Sequence, residues 1–440
     1  MRPRYVRLSA ADLLNLAVES GDSPANEGAI VVLDGRRLSG GGELFRGGLE
    51  ARLSRLPQLR RRIHWPGFLA GPPLWIDDPS FRIERHVGQA EVPAPGDQAA
   101  LLKLATGLMT PLLDRREPLW RLWIVTGMPD GRLAVIVKLH HVTADGLAAL
   151  QLLASLVNDD ASIPEQATAP PPWRELVYDN LRTRLCELRR VRPWRLVKAF
   201  RGTRKVLSES WNAPRTSLNA QVGPNRSLAV LRLDLAEVKQ VAHSQGGKVN
   251  DVILSVAAAG LRQLLICRGE PVQGVRLHAG VAASLRSSRD RADGGNRTGA
   301  YVVKLPIGEP DPAARLRQIA AANVQAKRHQ LNTAGHTMLT LLARLGLVKH
   351  FVRHQHLTNV IESNIAGPPD SICLLDAPVL DLVPISNLTG NLAVGFLALS
   401  YDGRLNLTVQ VDTDLCPDLA MLVKAMHREW GALVALTRPQ

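Results

Sequence analysis

Short apolar runs bounded by turn residues alternate with helical patterns along most of this chain, and this alternation limits the possible folds. The predicted strands are 30–34, 122–126, 133–139, 228–233, 275–283, 301–305, 360–364, 395–401 and 404–411. The predicted helices are 43–56, 235–245, 250–267, 312–330 and 417–436. Strands interleaved with helices predict an α/β fold in which helices flank the sheets.

The length of 440 residues exceeds what one ordinary core accommodates. A stretch rich in proline and alanine, from Asp159 to Trp173, indicates a boundary between folded regions. We therefore predict an N-terminal domain at 1–160, a basic crossover linker at 161–225 and a C-terminal domain at 226–440.

The formal net charge of +14 is unevenly distributed. Residues 181–210 hold ten Lys or Arg side chains against two acidic ones, Glu187 and Glu209. Such a segment suits an anionic membrane surface, the phosphates of a substrate, or plain exposure to solvent, and the sequence leaves these three open. Nucleic acid is not expected, because aromatic residues make up 4% of the chain and no stacking motif is present.

Apolar stretches and cysteines bear on the cellular compartment. The best apolar stretch, Val252 to Leu261, is about half of what a bilayer crossing needs. The N-terminus has basic residues but no apolar core before a cleavage site. The four cysteines are far apart and form no CxxC pair. We expect a cytoplasmic protein with reduced thiols and without a metal site.

A histidine pair ends the most continuous predicted strand. The apolar run from Leu133 to Leu139 leads into His140 and His141, and Asp145 and Gly146 then precede a helical pattern. In isolation, the pair could be core histidines, with Asp145 capping the next helix. A zinc site would need further ligands that the local sequence does not supply. An imidazole placed at a cleft by a strand end is the third interpretation.

Several further segments carry a resemblance to a known family. Besides HHVTADG at 140–146, they are DRREPLW (114–120), NDVILSVAAAGLR (250–262), ASLRSS (283–288), GGNRTGAYVVKLP (294–306), SNIAGPP (363–369) and LSYDGRLNLTV (399–409). In this order and spacing the chain resembles the bacterial wax ester synthase/acyl-CoA:diacylglycerol acyltransferases. That family belongs with chloramphenicol acetyltransferase-like enzymes and the condensation domains of nonribosomal peptide synthetases. Leu112 and Ala366 stand where the family usually has proline.

The resemblance implies a two-domain chloramphenicol acetyltransferase-like fold, with mixed sheets flanked by helices and an active-site tunnel between the domains. It also implies transfer of a fatty acyl group from acyl-CoA to the hydroxyl of diacylglycerol or a fatty alcohol. No cofactor is expected, since acyl-CoA is a substrate. Other alcohol acceptors, a carrier-protein donor and a non-catalytic lipid-binding homologue are the alternatives.

The resemblance also assigns roles. His141 would be the general base, for which a neutral imidazole is suited, and no acyl-enzyme is expected. His140 would orient its neighbour, and Asp145 would be structural, either paired with Arg286 or capping a helix. Gly146 would permit close backbone approach. The other residues with an expected part are the helix N-cap candidate Asn250 with Asp251 near the site, the weak oxyanion candidates Ser363 and Asn364, and the wall residues Pro118, Leu119 and Trp120.

The lipid substrates implied by the resemblance bear on localisation. They suit peripheral attachment to an anionic membrane or lipid-droplet surface, with the basic segment as the contact. The oligomeric state is left open by the sequence.

Overall fold

The computed structural model describes residues 6–21, 23–37, 41–54, 56–143, 154, 171–190, 212–284, 298–328 and 347–437. The strands within this part, in chain order, are β1 (Asn26–Asp34), β2 (Arg61–His64), β3 (Leu74–Asp77), β4 (Val87–Glu91), β5 (Trp120–Thr126), β6 (Arg132–His140), β7 (Arg226–Asp234), β8 (Leu277–Ser284), β9 (Thr298–Leu305), β10 (Val360–Ala366), β11 (Cys373–Leu374), β12 (Ala377–Ile385), β13 (Val394–Tyr401) and β14 (Arg404–Asp412). The helices are α1 (Ala10–Val18), α2 (Gly41–Ser54), α3 (Gln98–Met109), α4 (Trp173–Arg190), α5 (Leu235–Ser244), α6 (Val249–Cys267), α7 (Pro312–Arg328), α8 (Val348–Arg353) and α9 (Leu419–Ala435).

The first sheet has the strand order β11-β12-β1-β6-β5-β4. In it, β1 is antiparallel to both β6 and β12, whereas β4 is parallel to β5. The register places Asn26 opposite His140 and Glu27 opposite Leu139. The histidine pair therefore lies where β1 begins and β6 ends.

The second sheet has the strand order β7-β14-β13-β10-β8-β9. Here β10 is parallel to both of its neighbours, β8 and β13, and the outer pairs are antiparallel. Both sheets are thus mixed, as the resemblance implied. A separate antiparallel pair, β2 and β3, lies outside them.

Helix α6 occupies the centre of the largest core cluster in the described residues. Its side chains from Val252 to Leu261 are almost entirely buried against the second sheet, α7 and α9. By length and composition α6 could cross a membrane, but 72% of its apolar window is buried inside the protein. This burial is typical of a core helix that is hydrophobic all round.

Strand β12 joins the two sheets because it comes from the C-terminal half but pairs with β1 of the first sheet. Its Asp381 accepts hydrogen bonds from Arg232 of β7, at 2.7 and 2.9 Å, and from Asn406 of β14. The stretch 226–440 is therefore not self-contained, and the division drawn from the sequence separates the two sheets only in part.

The predicted strands and helices are confirmed to within a few residues at their ends. The sequence did not indicate β12, since Pro378 and Pro384 argue against a strand. In the structure Pro378 pairs with Cys373 of β11, and Pro384 pairs with Ala29 of β1, so both prolines lie inside a paired strand. Of the predicted linker 161–225, the structure describes 171–190, which includes α4, and 212–225; the rest falls outside the described residues.

Candidate active site

The histidine pair is held by backbone hydrogen bonds to two neighbouring segments. The His140 amide donates to the Leu119 carbonyl at 3.0 Å, and the His141 amide donates to the Ala25 carbonyl at 2.8 Å. These bonds link the end of β6 to the segment before β5 and to the segment before β1. The position of both rings is therefore set by the first sheet.

His140 is fully buried, and its ring has defined contacts. Nδ1 accepts a hydrogen bond from the Val142 amide at 3.0 Å, so in the neutral ring the hydrogen is on Nε2. Nε2 lies 3.2 Å from Glu19 Oε1, although the direction is too oblique for a good hydrogen bond. These contacts suit a ring that packs and orients its neighbours, which is the role predicted for His140.

Glu19 is a buried carboxylate between His140 and Arg115. Arg115 donates to Glu19 Oε2 at 2.7 and 3.1 Å. Burial raises the pKa of Glu19, but the contacts and charges of His140 and Arg115 outweigh burial and lower it to about 2. Glu19 is therefore ionised across the physiological range.

His141 differs from its neighbour because its side chain is 28% exposed. Asn15 Nδ2 lies 3.3 Å from His141 Nδ1, and Glu27 Oε2 lies 3.7 Å from His141 Nε2. A ring that reaches solvent and faces polar groups at both nitrogens is suited to proton transfer. The tunnel between the two halves stays a prediction.

Helix α1 and the residue that follows it supply two of the side chains that contact the histidines. Asn15 of α1 faces His141, and Glu19, the C-cap residue just after the helix, faces His140. The helix begins with a capping box, in which Ser9 and Asp12 exchange side-chain-to-backbone hydrogen bonds. The sequence analysis missed this helix, and the S-x-x-D pattern before an apolar run was the signal that could have found it.

The predicted wall residues Pro118, Leu119 and Trp120 are buried. Trp120 Nε1 donates to the Leu59 carbonyl at 2.7 Å, and its ring stacks on His86 with 4.7 Å between ring centres. These are packing contacts that hold the segment whose Leu119 carbonyl fixes His140. Contact with substrate stays a prediction.

Asn250 and Asp251 lie in the first turn of α6. The N-cap prediction for Asn250 is wrong, because the helix begins at Val249 and Asp251 accepts the Lys248 amide at 2.8 Å. The Asn250 side chain instead lies 3.4 Å from Glu362 Oε2, and Asp251 accepts from Asn323. Asp251 therefore stabilises the helix start, and the Asn250 amide is engaged with a carboxyl group.

Glu362 is a buried carboxyl group that the sequence analysis did not single out. Burial raises its pKa to about 8, against the opposing effects of the Asn250 contact and the Lys327 charge. Burial likewise raises the pKa of the neighbouring Tyr301. Glu362 is thus mostly protonated at neutral pH, where its Oε1 is buried without a hydrogen-bond partner among the described residues.

The remaining predicted residues divide into two groups. Ser363 and Asn364 follow Glu362 on β10, where Ser363 is half-buried and Asn364 is exposed. Asp145, Gly146 and Arg286 lie outside the described residues, so their predicted roles stay predictions. Within the described part of the chain, no three His, Cys, Asp or Glu side chains are grouped as metal ligands.

Comparison with known proteins supplies the family. Residues 8–253 match the wax ester synthase/diacylglycerol acyltransferase catalytic domain, and residues 294–433 match the WS/DGAT C-terminal domain. The chain belongs to the wax ester synthase/diacylglycerol acyltransferase family. The family resemblance drawn from the sequence motifs is thereby confirmed.

Relatives of this family member occur in Mycobacterium tuberculosis. It is 28% identical to a probable diacylglycerol O-acyltransferase, tgs1, over 435 residues, which cover 93% of this chain and 91% of the relative. It is 30% identical to a second, tgs2, over 350 residues, which cover 76% and 77% of the two chains.

Solved structures share the fold of this family member. The wax ester synthase/diacylglycerol acyltransferase from Marinobacter aquaeolei VT8 superposes with a TM-score of 0.70 at 21% identity, covering 98% of this chain and all of that one. The starter condensation domain of rhizomide synthetase RzmA, solved with C8-CoA, gives a TM-score of 0.61 at 16% identity, covering 98% and 95%. These matches confirm the predicted chloramphenicol acetyltransferase-like fold.

Proposed function

We propose that the protein transfers a fatty acyl group from acyl-CoA to a lipid hydroxyl, yielding triacylglycerol from diacylglycerol or a wax ester from a fatty alcohol. Membership in the family and the names of the mycobacterial relatives support this activity. The geometric observation that carries it is the contrast between the two histidines. His140 is fully buried, whereas His141 reaches solvent at the end of the same strand.

In the proposed mechanism, His141 Nε2 accepts the proton of the substrate hydroxyl as its oxygen attacks the thioester carbonyl. The tetrahedral intermediate then collapses, the carbon–sulfur bond breaks, and the proton passes from His141 to the leaving CoA thiolate. A positioned base of this kind contributes roughly 10² to 10⁴ in rate. No nucleophilic side chain and no cofactor is required.

The tetrahedral oxygen needs a hydrogen-bond donor. Ser363 and Asn364 remain our candidates, because they lie on β10 with side chains that are half-buried and exposed. Asn250 is less suited, since its amide already faces Glu362. Replacing Ser363 by Ala and Asn364 by Ala, each alone, separates the two candidates by the loss in kcat.

A product assay tests the proposed activity. The purified protein is incubated with radiolabelled palmitoyl-CoA and either dioleoylglycerol or hexadecanol, and neutral esters are separated by thin-layer chromatography. We expect labelled triacylglycerol, wax ester or both. If neither forms, the lipid-ester proposal fails, and a panel of other alcohols and a carrier-protein donor then tests the alternatives.

We further propose that the protein binds anionic membrane or droplet surfaces through an apolar face beside the basic segment. This face consists of exposed side chains on the 65–69 loop and on α4, namely Trp65, Phe68, Leu69, Trp173, Tyr178, Leu181 and Leu185. Phe68 is 83% exposed and Tyr178 is 70% exposed. Trp173 Nε1 donates to the Phe68 carbonyl at 3.1 Å, which connects the loop to the start of the helix. Large exposed apolar patches often mark membrane-binding surfaces, and these side chains are the candidates for such a patch.

Basic side chains on α4 complement an anionic surface. Arg174, Arg182 and Arg184 are exposed on this helix, which includes the start of the basic segment, and the rest of that segment, 191–210, lies outside the described residues. Liposome flotation of the full protein tests the proposal, with Phe68→Ser as the variant and Leu44→Ser, an exposed leucine of α2, as the matched control. We expect binding to anionic liposomes that falls with salt and with Phe68→Ser only. Binding that ignores both would contradict it.

A further inference from the structure

His141 is flanked by two polar side chains from elements other than its own strand. Asn15 of α1 faces Nδ1, and Glu27 of β1 faces Nε2. We infer that Asn15 and Glu27 are positioning residues that tune His141 as a base. Asn15 holds the ring through Nδ1, and Glu27 stabilises the positive charge that the ring gains during transfer. This inference rests on the proposed function of His141.

The distance between Glu27 and His141 suits an electrostatic role. At 3.7 Å, Glu27 Oε2 is too far from Nε2 for a hydrogen bond but near enough for a strong charge interaction. At this distance the carboxyl group does not itself form a hydrogen bond with the ring nitrogen that takes the substrate proton. Once Nε2 has taken the proton, the same carboxyl group faces an imidazolium.

The strand register keeps Glu27 in place. β1 pairs with β6 on one side and with β12 on the other, and Glu27 lies opposite Leu139, two residues before His141. Because side chains alternate along a strand, Glu27 and His141 are on the same face of the sheet. The Glu27 side chain is 11% exposed, so solvent screens its charge only weakly.

Asn15 suits either state of Nδ1. Its amide can donate to a bare Nδ1 or, after a half turn, accept from Nδ1–H through its oxygen. The second arrangement leaves Nε2 unprotonated and therefore basic. Glu19, the C-cap residue just after α1, lies against His140, so α1 and its C-cap contact both rings.

The proton balance of the step is complete with these groups. The substrate O–H bond breaks as the oxygen–carbon bond forms, and the proton moves to Nε2. While the ring is charged, Nδ1–H donates a hydrogen bond to the Asn15 side-chain oxygen. The protonated Nε2 faces the Glu27 carboxylate. When the carbon–sulfur bond breaks, Nε2 gives the proton to the thiolate, and the ring returns to neutral.

Steady-state kinetics of purified variants test the inference. Glu27→Gln keeps the size of the side chain and removes its charge, Glu27→Asp keeps the charge at a greater distance, and Asn15→Leu removes the amide. Glu50→Gln is the matched control, because Glu50 is a half-buried glutamate of α2 whose carboxyl group is 3.5 Å from Arg46. Thermal unfolding of each variant measures the folded fraction.

We expect Glu27→Gln and Asn15→Leu to lower kcat at least tenfold, with the KM of both substrates within twofold of wild type. Glu27→Asp should recover part of the loss, and Glu50→Gln should match wild type. A wild-type kcat in Glu27→Gln overturns the inference, as does a loss that the folded fraction explains. A separate outcome, full turnover by His141→Ala, would remove the proposed base itself.

Discussion

At the level of single residues, the two neighbouring histidines differ because different side chains surround them. His140 is enclosed by Glu19 and the Val142 amide, whereas His141 faces Asn15 and Glu27 and reaches solvent. The sequence motif located both rings, but it could not supply these neighbours. Asn15, Glu19 and Glu27 come from α1, its C-cap and β1, more than a hundred residues earlier in the chain, and only the tertiary fold brings them to the histidines.

Replacing Glu19 by Gln should destabilise the protein at neutral pH by on the order of 3 kcal/mol, because it removes a buried carboxylate from its contacts with Arg115 and His140. The folded-state pKa of about 2 lies below the ordinary value of 4.5. The stabilisation by Glu19 is therefore present above pH 4.5 and is lost as the pH falls toward 2. Urea unfolding at several pH values should show a weaker acid dependence in Glu19→Gln. If Glu19→Gln unfolds at the same urea concentration as wild type at pH 7, this account is contradicted.

The contribution of Glu362 to stability should depend on pH in the opposite direction to that of Glu19, and Glu362→Gln tests this. The pKa of Glu362 is raised from 4.5 to about 8 in the folded protein, so the folded state keeps a proton that the unfolded chain loses. Stability should then fall as the pH rises from about 4.5 to 8, by at most about 5 kcal/mol. Glu362→Gln should flatten that decline, and Glu237→Gln, at an exposed site on α5, should not. If the free energy of unfolding falls with pH equally in Glu362→Gln and Glu237→Gln, the raised pKa of Glu362 is contradicted.

At the level of elements, strong apolar periodicity made most strands and the helices α6, α7 and α9 predictable, whereas the 18-residue α4 fell in the predicted linker. Strand β6 and helix α6 were predicted almost to their ends because each has a long apolar run. Strand β12 was missed because its prolines are tolerated through tertiary context, and α1 was missed because its pattern is short. Both are elements that connect distant parts of the chain.

The Asp381→Asn variant tests how strongly β12 is tied to the second sheet. Asp381 accepts hydrogen bonds from Arg232 and Asn406 and is largely buried. Removing its charge should cost about 1–3 kcal/mol of unfolding free energy. Asp130→Asn, in an exposed contact with Arg132, serves as the control and should change stability by less than about 0.5 kcal/mol. If Asp381→Asn and Asp130→Asn lower the unfolding free energy equally, the hydrogen bonds between β12 and the second sheet contribute little to stability.

At the level of the whole molecule, the crossing of β12 makes the two halves depend on each other. A fragment of residues 1–220 lacks β11 and β12, so β1 would expose an unpaired edge. We expect this fragment to show no cooperative thermal transition by circular dichroism, and co-expression with 221–440 to restore one. A sharp transition of the fragment alone would contradict this dependence.

The central claim is that His141 takes the hydroxyl proton in a fold that leaves its ring accessible. The most direct measurement is the turnover of palmitoyl-CoA with a lipid alcohol by His141→Ala, compared with wild type at equal folded protein. The account predicts a loss of roughly 10²- to 10⁴-fold in kcat with unchanged thermal stability. A folded His141→Ala protein that forms ester at the wild-type rate would contradict it.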